Sequence, residues 1–462
     1  MHHGQDSPQS SIANTLQTQS NVEIEKPVMT MDELKEKYAE VQSRLYPMQR
    51  EAVAGRFATD DASKVWDFIA LLLKDFNVPE MEYETLPYFT EKHKSLMSKL
   101  LTKELFFELK ASGATAKGYS ISRAIQTGVM TPHLGVGITA GDEESWVKFS
   151  KIMNPVIKGW HDFDPETQSH RSDRDPEKLV MTAEQLSLFS EHVASTRIRA
   201  ARNISGDALP AGATDEDRRA VRVALTRAFE RFEGELAGTY YDLAKLSDVE
   251  RDHLQSKGYL FQIPGTRNLL WHAGAARQWP EDRGIFHNEA LTALCWVNEE
   301  DHCRIISMEQ GGDVKSVFKR FCAMSDALEA SAEQDGMSFM YSEKLGFLGT
   351  CPSNLGTSLR ASVMMKLPKF NETSESRQLL SSLCAKFDLQ PRGSSGEHSA
   401  SLHDTFDLSN KKRIGFTEVQ LVQKMIDGVT SVIHYEQALA AGEKDLEAIK
   451  VELEGFKGLG FV

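Results

Sequence analysis

Arginine is the residue type whose placement first suggests chemistry in this sequence. Ser195-Thr196-Arg197-Ile198-Arg199 sets two guanidinium groups two residues apart, on one face if the segment is a strand. Arg304, Arg360 and Arg392 stand beside other turn-rich or strand-like segments. Clustered guanidinium groups repel one another unless an anion lies between them, and each charge-assisted bond to a phosphate is worth ~1.5–3 kcal/mol. Such a set would hold a polyanion; a scatter of unrelated surface arginines is the alternative, and both readings stand at this point. No G-x-x-x-x-G-K-[ST] occurs, so a P-loop is not available for phosphate, and the G-V-G of Gly135, Val136 and Gly137 is by itself no more than a turn signal.

Two further clusters carry reactive side chains. Cys351 lies in Gly349-Thr350-Cys351-Pro352-Ser353-Asn354-Leu355-Gly356-Thr357, a tight turn rich in hydroxyls. A cysteine held this way is expected to have a lowered pKa and to exist as thiolate, the alternative being a small buried hydrophobe. Glu299-Glu300-Asp301-His302 is a dense acidic run that suits a guanidinium or a metal ion, or else a solvated turn.

The chain that must position these groups has 462 residues, 67 acidic and 53 basic, for a net charge of −14. That balance argues against nucleic acid, whose binding rests on a basic surface, but leaves room for a small anion in a local arginine cluster. The five cysteines (Cys295, Cys303, Cys322, Cys351, Cys384) are odd in number and form no C-x-x-C. A disulfide framework and a zinc site are therefore not expected, and a reducing, cytoplasmic location is. No apolar run approaches the ~18 residues of a membrane span. The polar, acid-containing N-terminus reads as neither signal nor transit peptide.

Residues 1–28, rich in Ser, Gln, Asn and Thr, read as disordered, and 31–50 as a possible helix, together an N-terminal extension over 1–60. From 61 to 161 the spacing is helical, with Val65, Phe68, Ile69 and Leu72 recurring at three and four. Residues 162–178 are polar, contain two prolines and read as a linker. Beyond them, short runs at 291–297, 304–308 and 361–367 predict strands, and 215–236, 314–333 and 417–439 predict helices. That mixture over 179–462 suggests one large α/β domain.

Together the segments resemble the phosphagen (ATP:guanidino) kinases, most of all the arginine kinases, from about residue 62 to 462. Five stretches carry the resemblance: 137–145 (GITAGDEES), 195–202 (STRIRAAR), 279–312 (WPEDRGIFHNEALTALCWVNEEDHCRIISMEQGG), 350–360 (TCPSNLGTSLR) and 392–398 (RGSSGEH). The resemblance implies an α+β fold: a small all-α N-terminal domain, then a larger, glutamine-synthetase-like domain with an antiparallel sheet flanked by helices. It implies reversible phosphoryl transfer between ATP and a guanidine, with Mg²⁺ bound through the nucleotide and no metal site of the protein's own. The phosphate arginines fall on Arg197, Arg199, Arg304, Arg360 and Arg392. Glu300 matches a glutamate that grips the guanidinium, Glu397 a second one on a mobile loop, and Cys351 the reactive cysteine, with Ser353 placed to donate to its sulfur. Gly135, Val136, Gly137 and Thr139 fall on the loop that covers the substrate. The partners implied are ATP and a small guanidine, with the chain a monomer or homodimer.

The short span 129–136 and the Gly396-Glu397-His398 pattern point within the family to L-arginine. Thr139 stands where arginine kinases usually carry tyrosine, which keeps taurocyamine or a related guanidine as an alternative. Gly258 and Met364 replace histidines that usually flank the adenine, and Ala201 a usual glycine. The first two motivate a third expectation, a non-catalytic nucleotide-binding scaffold. The Gly/Ser-rich loop after Arg392 is expected to close over bound substrates.

Overall fold

Ser or Thr ahead of a short apolar run marks three of the first helices. Ser95, Thr102 and Ser120 accept hydrogen bonds from the N–H groups of Ser98, Leu105 and Arg123 and so cap α1 (Leu96–Leu100), α2 (Lys103–Ala111) and α3 (Ile121–Met130). α4 (Ser145–Lys148) and α5 (Ser150–His161) follow. The structure is a computed structural model that describes residues 80–262, 264, 268–393 and 404–455, all within the unit Asp75–Val462. The expected extension 1–60, the helix at 31–50 and the helical spacing at 65–72 lie outside the described residues, as does Glu397.

α3, of sequence ISRAIQTGVM, is buried along its whole length, and three of its polar side chains bind backbone. Ser122 and Gln126 accept from the N–H groups of Tyr83 and Met81, and Arg123 donates to the Ala211 carbonyl. Gly128 brings this helix against the G-V-G turn: a Cβ there would lie 2.3 Å from the Gly137 carbonyl oxygen. Gly137 itself has φ +79°, the left-handed region that favours glycine.

The larger part is built on strands β1 (Val193–Arg202), β2 (Gly238–Asp242), β3 (Gly284–Asn288), β4 (Ala293–Val297) and β5 (Cys303–Gln310). A two-residue pair, β6 (Tyr341–Ser342) and β7 (Gly346–Phe347), stands apart, and β8 (Arg360–Lys366), β9 (Leu389–Gly393) and β10 (Thr405–Asn410) complete the set. Eight of these form one sheet in the order β2-β3-β4-β5-β1-β8-β10-β9. Every pairing in it is antiparallel, which corrects the α/β expectation and agrees with the α+β fold implied by the resemblance. The connections 289–292 and 298–302 are far too short for the dozen or more residues that a parallel crossover needs.

Alternation along β1 sorts its two faces. Ile198 and Ala200 enter the main core, whereas Arg197, Arg199 and Ala201 point the other way. On the core side the sheet is covered by α6 (Asp215–Phe229), α7 (Val314–Gln334), α8 (Ser374–Lys386) and α9 (Glu418–Ala441). They contribute Val221, Leu225, Phe318, Phe321, Leu379, Leu383, Val422 and Met425 to that core. The opposite face carries a smaller apolar cluster around Trp296, Leu294, Ile306 and Phe261, and beside it the arginines.

Candidate active site

Strand register gathers the arginines. Arg199 lies opposite Arg360 on β8 and Ile306 on β5, Ala201 lies opposite Arg304, and Arg392 of β9 lies opposite Asp407 of β10. Since these positions share one face, four arginines from four strands, far apart in sequence, come to the same side of the sheet. A cavity of about 570 Å³ opens there, and Arg199, Arg304, Arg392, Lys411 and Arg413 line it. Arg197 and Arg360 stand outside its wall, Arg197 with its guanidinium 5.0 Å over the Trp296 ring.

The charges in this cluster are poorly compensated. Burial, and then the charge of Arg360, pull the Arg197 guanidinium down to about 10. Burial followed by Arg304, Arg197 and Arg360 holds Arg199 well below its usual range. Among the described residues, buried nitrogens of Arg197 (Nε, Nη2) and Arg360 (Nε) have no hydrogen-bond partner. Asp407 is the acid within reach of Arg360, at 2.8 Å from its Nη2. Like charges packed this closely favour an anion carrying several oxygens, which would relieve both repulsion and missing bonds. Arg304 differs: against the effect of burial, Glu299, Glu300 and Asp301 hold its pKa above the usual value.

The same cavity is lined by an acid and a thiol, Glu300 and Cys351. Glu300 Oε2 accepts from Arg304 Nη2 at 3.0 Å and its Oε1 from Asn354 Nδ2 at 2.8 Å. Arg413 in turn donates to Asn354 Oδ1. Cys351 lines the same cavity, with its Sγ 3.1 Å from Ser353 Oγ, as expected for that serine. The expected low pKa is not found in the unliganded chain: burial first, and the Glu300 carboxylate second, push the Cys351 thiol up to about 12, while Ser353 works the other way. Asp301, behind Glu300, is raised to about 6 by burial and by Glu300.

The third wall comes from the helical part: His133, Leu134, Gly135, Val136, Gly137 and Trp160. Gly135 packs on the indole, since a Cβ would lie 2.5 Å from Trp160 Cζ3. The carbonyls of Gly135 and Val136 accept from Leu96 and Met97 at 2.8 and 3.1 Å, while no hydrogen bond is donated by the N–H groups of 135–137 among the described residues. Two bonds seat this wall on the Cys351 turn: Ala140 N to Thr350 O at 2.8 Å and His161 Nε2 to Pro352 O at 2.9 Å. Thr139 corrects an expectation. It is fully buried outside the cavity lining, with its hydroxyl 2.9 Å from Tyr119 Oη.

Of the expected residues, Arg199, Arg304, Arg392, Glu300, Cys351, Gly135, Val136 and Gly137 meet at one cavity, with Arg197 and Arg360 beside it. Gly258 lies at φ +72° after the helix Asp248–Ser256, where a left-handed residue closes the turn, and Met364 shares the cleft face of β8 with Arg360. Sequence reading missed Arg413 and Lys411, because Lys411-Lys412-Arg413 looks like a solvated charge run. It also missed Asn354, Asp407 and Trp160, whose roles arise from register and packing. Among the described residues no group of three or more His, Cys, Asp or Glu is disposed to hold a metal ion.

Comparison with known proteins matches this architecture. The family model described as "ATP:guanido phosphotransferase, C-terminal catalytic domain" fits residues 220–439, and "ATP:guanido phosphotransferase, N-terminal domain" fits 91–158. Creatine kinase, testis isozyme, of Oncorhynchus mykiss is 38% identical over 384 residues, covering 82% of this chain and 97% of that protein. A crystal structure of lombricine kinase superposes with a TM-score of 0.69 at 37% identity, over 78% of this chain and 96% of that one. The duplicated taurocyamine kinase of Schistosoma mansoni, with transition state analog components bound, gives 0.71 at 32% identity, over 79% of this chain and 50% of that one.

Proposed function

The chain belongs to the ATP:guanido phosphotransferase family, and from that premise we propose that it moves the γ-phosphoryl group reversibly between ATP and L-arginine, buffering ATP. Phosphoryl transfer between ATP and a guanidino acceptor is the activity of the family; the choice of L-arginine and the roles below are this proposal. The observation that carries it is that Arg199, Arg304 and Arg392 line the same cavity as Glu300 and Cys351. In functional terms the chain divides into an extension (1–60), a guanidine-covering helical domain (61–161), a linker (162–178) and a catalytic domain (179–462).

Arg197, Arg199, Arg304, Arg360 and Arg392 hold the nucleotide phosphates, and Mg²⁺ arrives with the nucleotide as part of the substrate. A guanidinium is a poor nucleophile, its lone pairs delocalised and its pKa above ~12. Glu300, Cys351 and, by the resemblance, Glu397 fix one terminal nitrogen in line with the γ-phosphorus. That nitrogen bonds to phosphorus as the bond to the β–γ bridging oxygen breaks, ADP leaves, and the nitrogen's proton passes to a carboxylate or to water. Alignment and preorganised charge supply most of the acceleration. A guanidinium seated between Glu300 and Cys351 also favours the thiolate, because it neutralises Glu300 and is itself a cation beside sulfur. The substrate carboxylate takes the amides of Gly135–Gly137.

A second reading, taurocyamine, draws support from the likeness to a taurocyamine kinase and from those amides, which suit a sulfonate equally. Thr139 no longer favours it, being outside the cavity lining. Coupled-enzyme assay with MgATP and a panel of L-arginine, taurocyamine, lombricine and creatine separates the two. L-Arginine is expected to lead in kcat/KM by about tenfold or more. A lead for taurocyamine establishes the second reading, and ADP binding without turnover of any guanidine establishes the scaffold. Among the described residues no helix is long and apolar enough to cross a membrane, and we place the enzyme in the cytoplasm, where its five free cysteines stay reduced.

A further inference from the structure

Thr350 lies between the acidic loop and the segment that follows the Gly135–Gly137 turn, and each of its polar atoms is used. Its N–H donates to Asp301 Oδ1 at 3.1 Å, its hydroxyl donates to the Glu300 carbonyl at 2.6 Å, and its own carbonyl accepts from Ala140 N at 2.8 Å. The residue is fully buried. Gly349 before it allows the approach, since a Cβ there would lie 2.8 Å from Asp301 Oδ1. Cys351 follows it directly, and Ala140 stands three residues beyond Gly137. The carboxylate of Glu300 is held from the other end of the same turn by Asn354. The turn and the acidic loop are thus stitched at backbone and side chain alike.

We propose that Thr350 is a positioning residue that fixes the separation of Glu300 and Cys351 and registers both against the Gly135–Gly137 loop. It touches no substrate and acts through its neighbours; the inference rests on the reading of Glu300 and Cys351 as the guanidine grip. Threonine is needed for its hydroxyl. Valine has the same shape, fits the site and keeps the two backbone bonds, but leaves the Glu300 carbonyl without its donor.

The test compares full-length wild type with Thr350→Val, Thr350→Ala and Thr350→Ser. Turnover and KM are measured with the best guanidine, ADP affinity by calorimetry, and alkylation of Cys351 by iodoacetamide through mass spectrometry of that peptide. A misplacement of about 1 Å costs on the order of 100-fold, so Thr350→Val is expected to lose about that in kcat with ADP affinity unchanged. Its Cys351 alkylation rate shifts as well, and Thr350→Ser stays within about threefold of wild type in both respects. Thr350→Val equal to wild type in kcat and alkylation, or Thr350→Ser as damaged as Thr350→Val, overturns the proposal. If Thr350→Val does not fold, Thr350→Ala and Thr350→Ser give the same comparison of hydroxyl lost against hydroxyl kept. If wild type turns over no guanidine, the grip reading fails on its own, while the alkylation rates still decide whether Thr350 sets the Cys351 turn.

Discussion

Arg199 and Arg202 are three residues apart on one strand, the first half-buried and the second fully buried, and they belong to opposite kinds of site. Arg202 Nε lies 3.3 Å from Glu329 Oε1, its guanidinium stacks 3.4 Å over the Phe347 ring, and Arg174 closes on the same carboxylate with bonds of 2.7 and 2.6 Å. Glu418, also buried, accepts from Ser172 Oγ and Asp173 N and ties the same segment down. Here an internal carboxylate answers the cations: against burial, Glu329 holds the Arg174 pKa up, and the two arginines hold that of Glu329 down. Arg199 instead lines a cavity and feels the charges of Arg304, Arg197, Arg360 and Arg413, all cations. Paired burial makes a strut, whereas unpaired burial around a void makes a receptor whose missing counter-charge is the ligand.

The largest effect expected from this contrast is on turnover. Arg199→Met should cut kcat by about 10³-fold, the scale of a lost phosphate-clamping arginine, while leaving unliganded stability equal or higher because like-charge repulsion is relieved. A loss of stability matching the loss of turnover would make Arg199 a strut like Arg202. Glu329→Ala is the mirror case. It strands the buried Arg202, while the half-buried Arg174 keeps Asp326 at 3.2 Å, and should cost about 3 kcal/mol in urea unfolding, with kcat per folded molecule unchanged. The response to acid tests buried neutral groups in the same way.

Burial holds His161 down to about 3 and His170 and His302 down to about 4, so each is neutral in the fold. His302 Nδ1 accepts from Ile204 N and its Nε2 donates to Ala208 O, a pattern that a second ring proton would break. Between their ordinary value of 6.5 and about 4 the unfolded chain binds more protons, so stability falls as pH falls through that window. Asp301, raised to about 6 from 3.8, binds its proton more tightly in the fold and offsets part of the loss. Unfolding free energy should be lower at pH 5 than at pH 7, the three histidines together outweighing Asp301. An equal or higher value would mean that these histidines carry no burial cost.

Much of the frame is legible in the residues. The R-I-R alternation marks β1 and its cleft face, and Thr214, Asp313 and Thr417 cap helices whose apolar spacing is plain. Strand direction is not legible from the mixture of helices and strands; it follows from the shortness of the loops at 289–292 and 298–302. The arginine set follows from the resemblance, but its electrostatic state does not. The Pro/Gly turn around Cys351 suggests a lowered pKa, and burial beside Glu300 reverses that in the unliganded chain. Arg413 and Asp407 are invisible among Lys411-Lys412-Arg413 and Thr405-Phe406-Asp407 because only the path of the loop after β10 brings Arg413 to the cavity and only sheet register sets Asp407 against Arg392 and Arg360.

Phosphorus NMR of wild-type protein with MgATP and L-arginine follows the transferred atom itself. The facing of the arginine cradle and the Glu300–Cys351 grip predicts a nitrogen-linked phosphoryl resonance that grows as the γ-phosphate signal of ATP decays, reverses on adding ADP, and is lost in Arg199→Met. An ATP spectrum that never changes with L-arginine, taurocyamine, lombricine or creatine would contradict it.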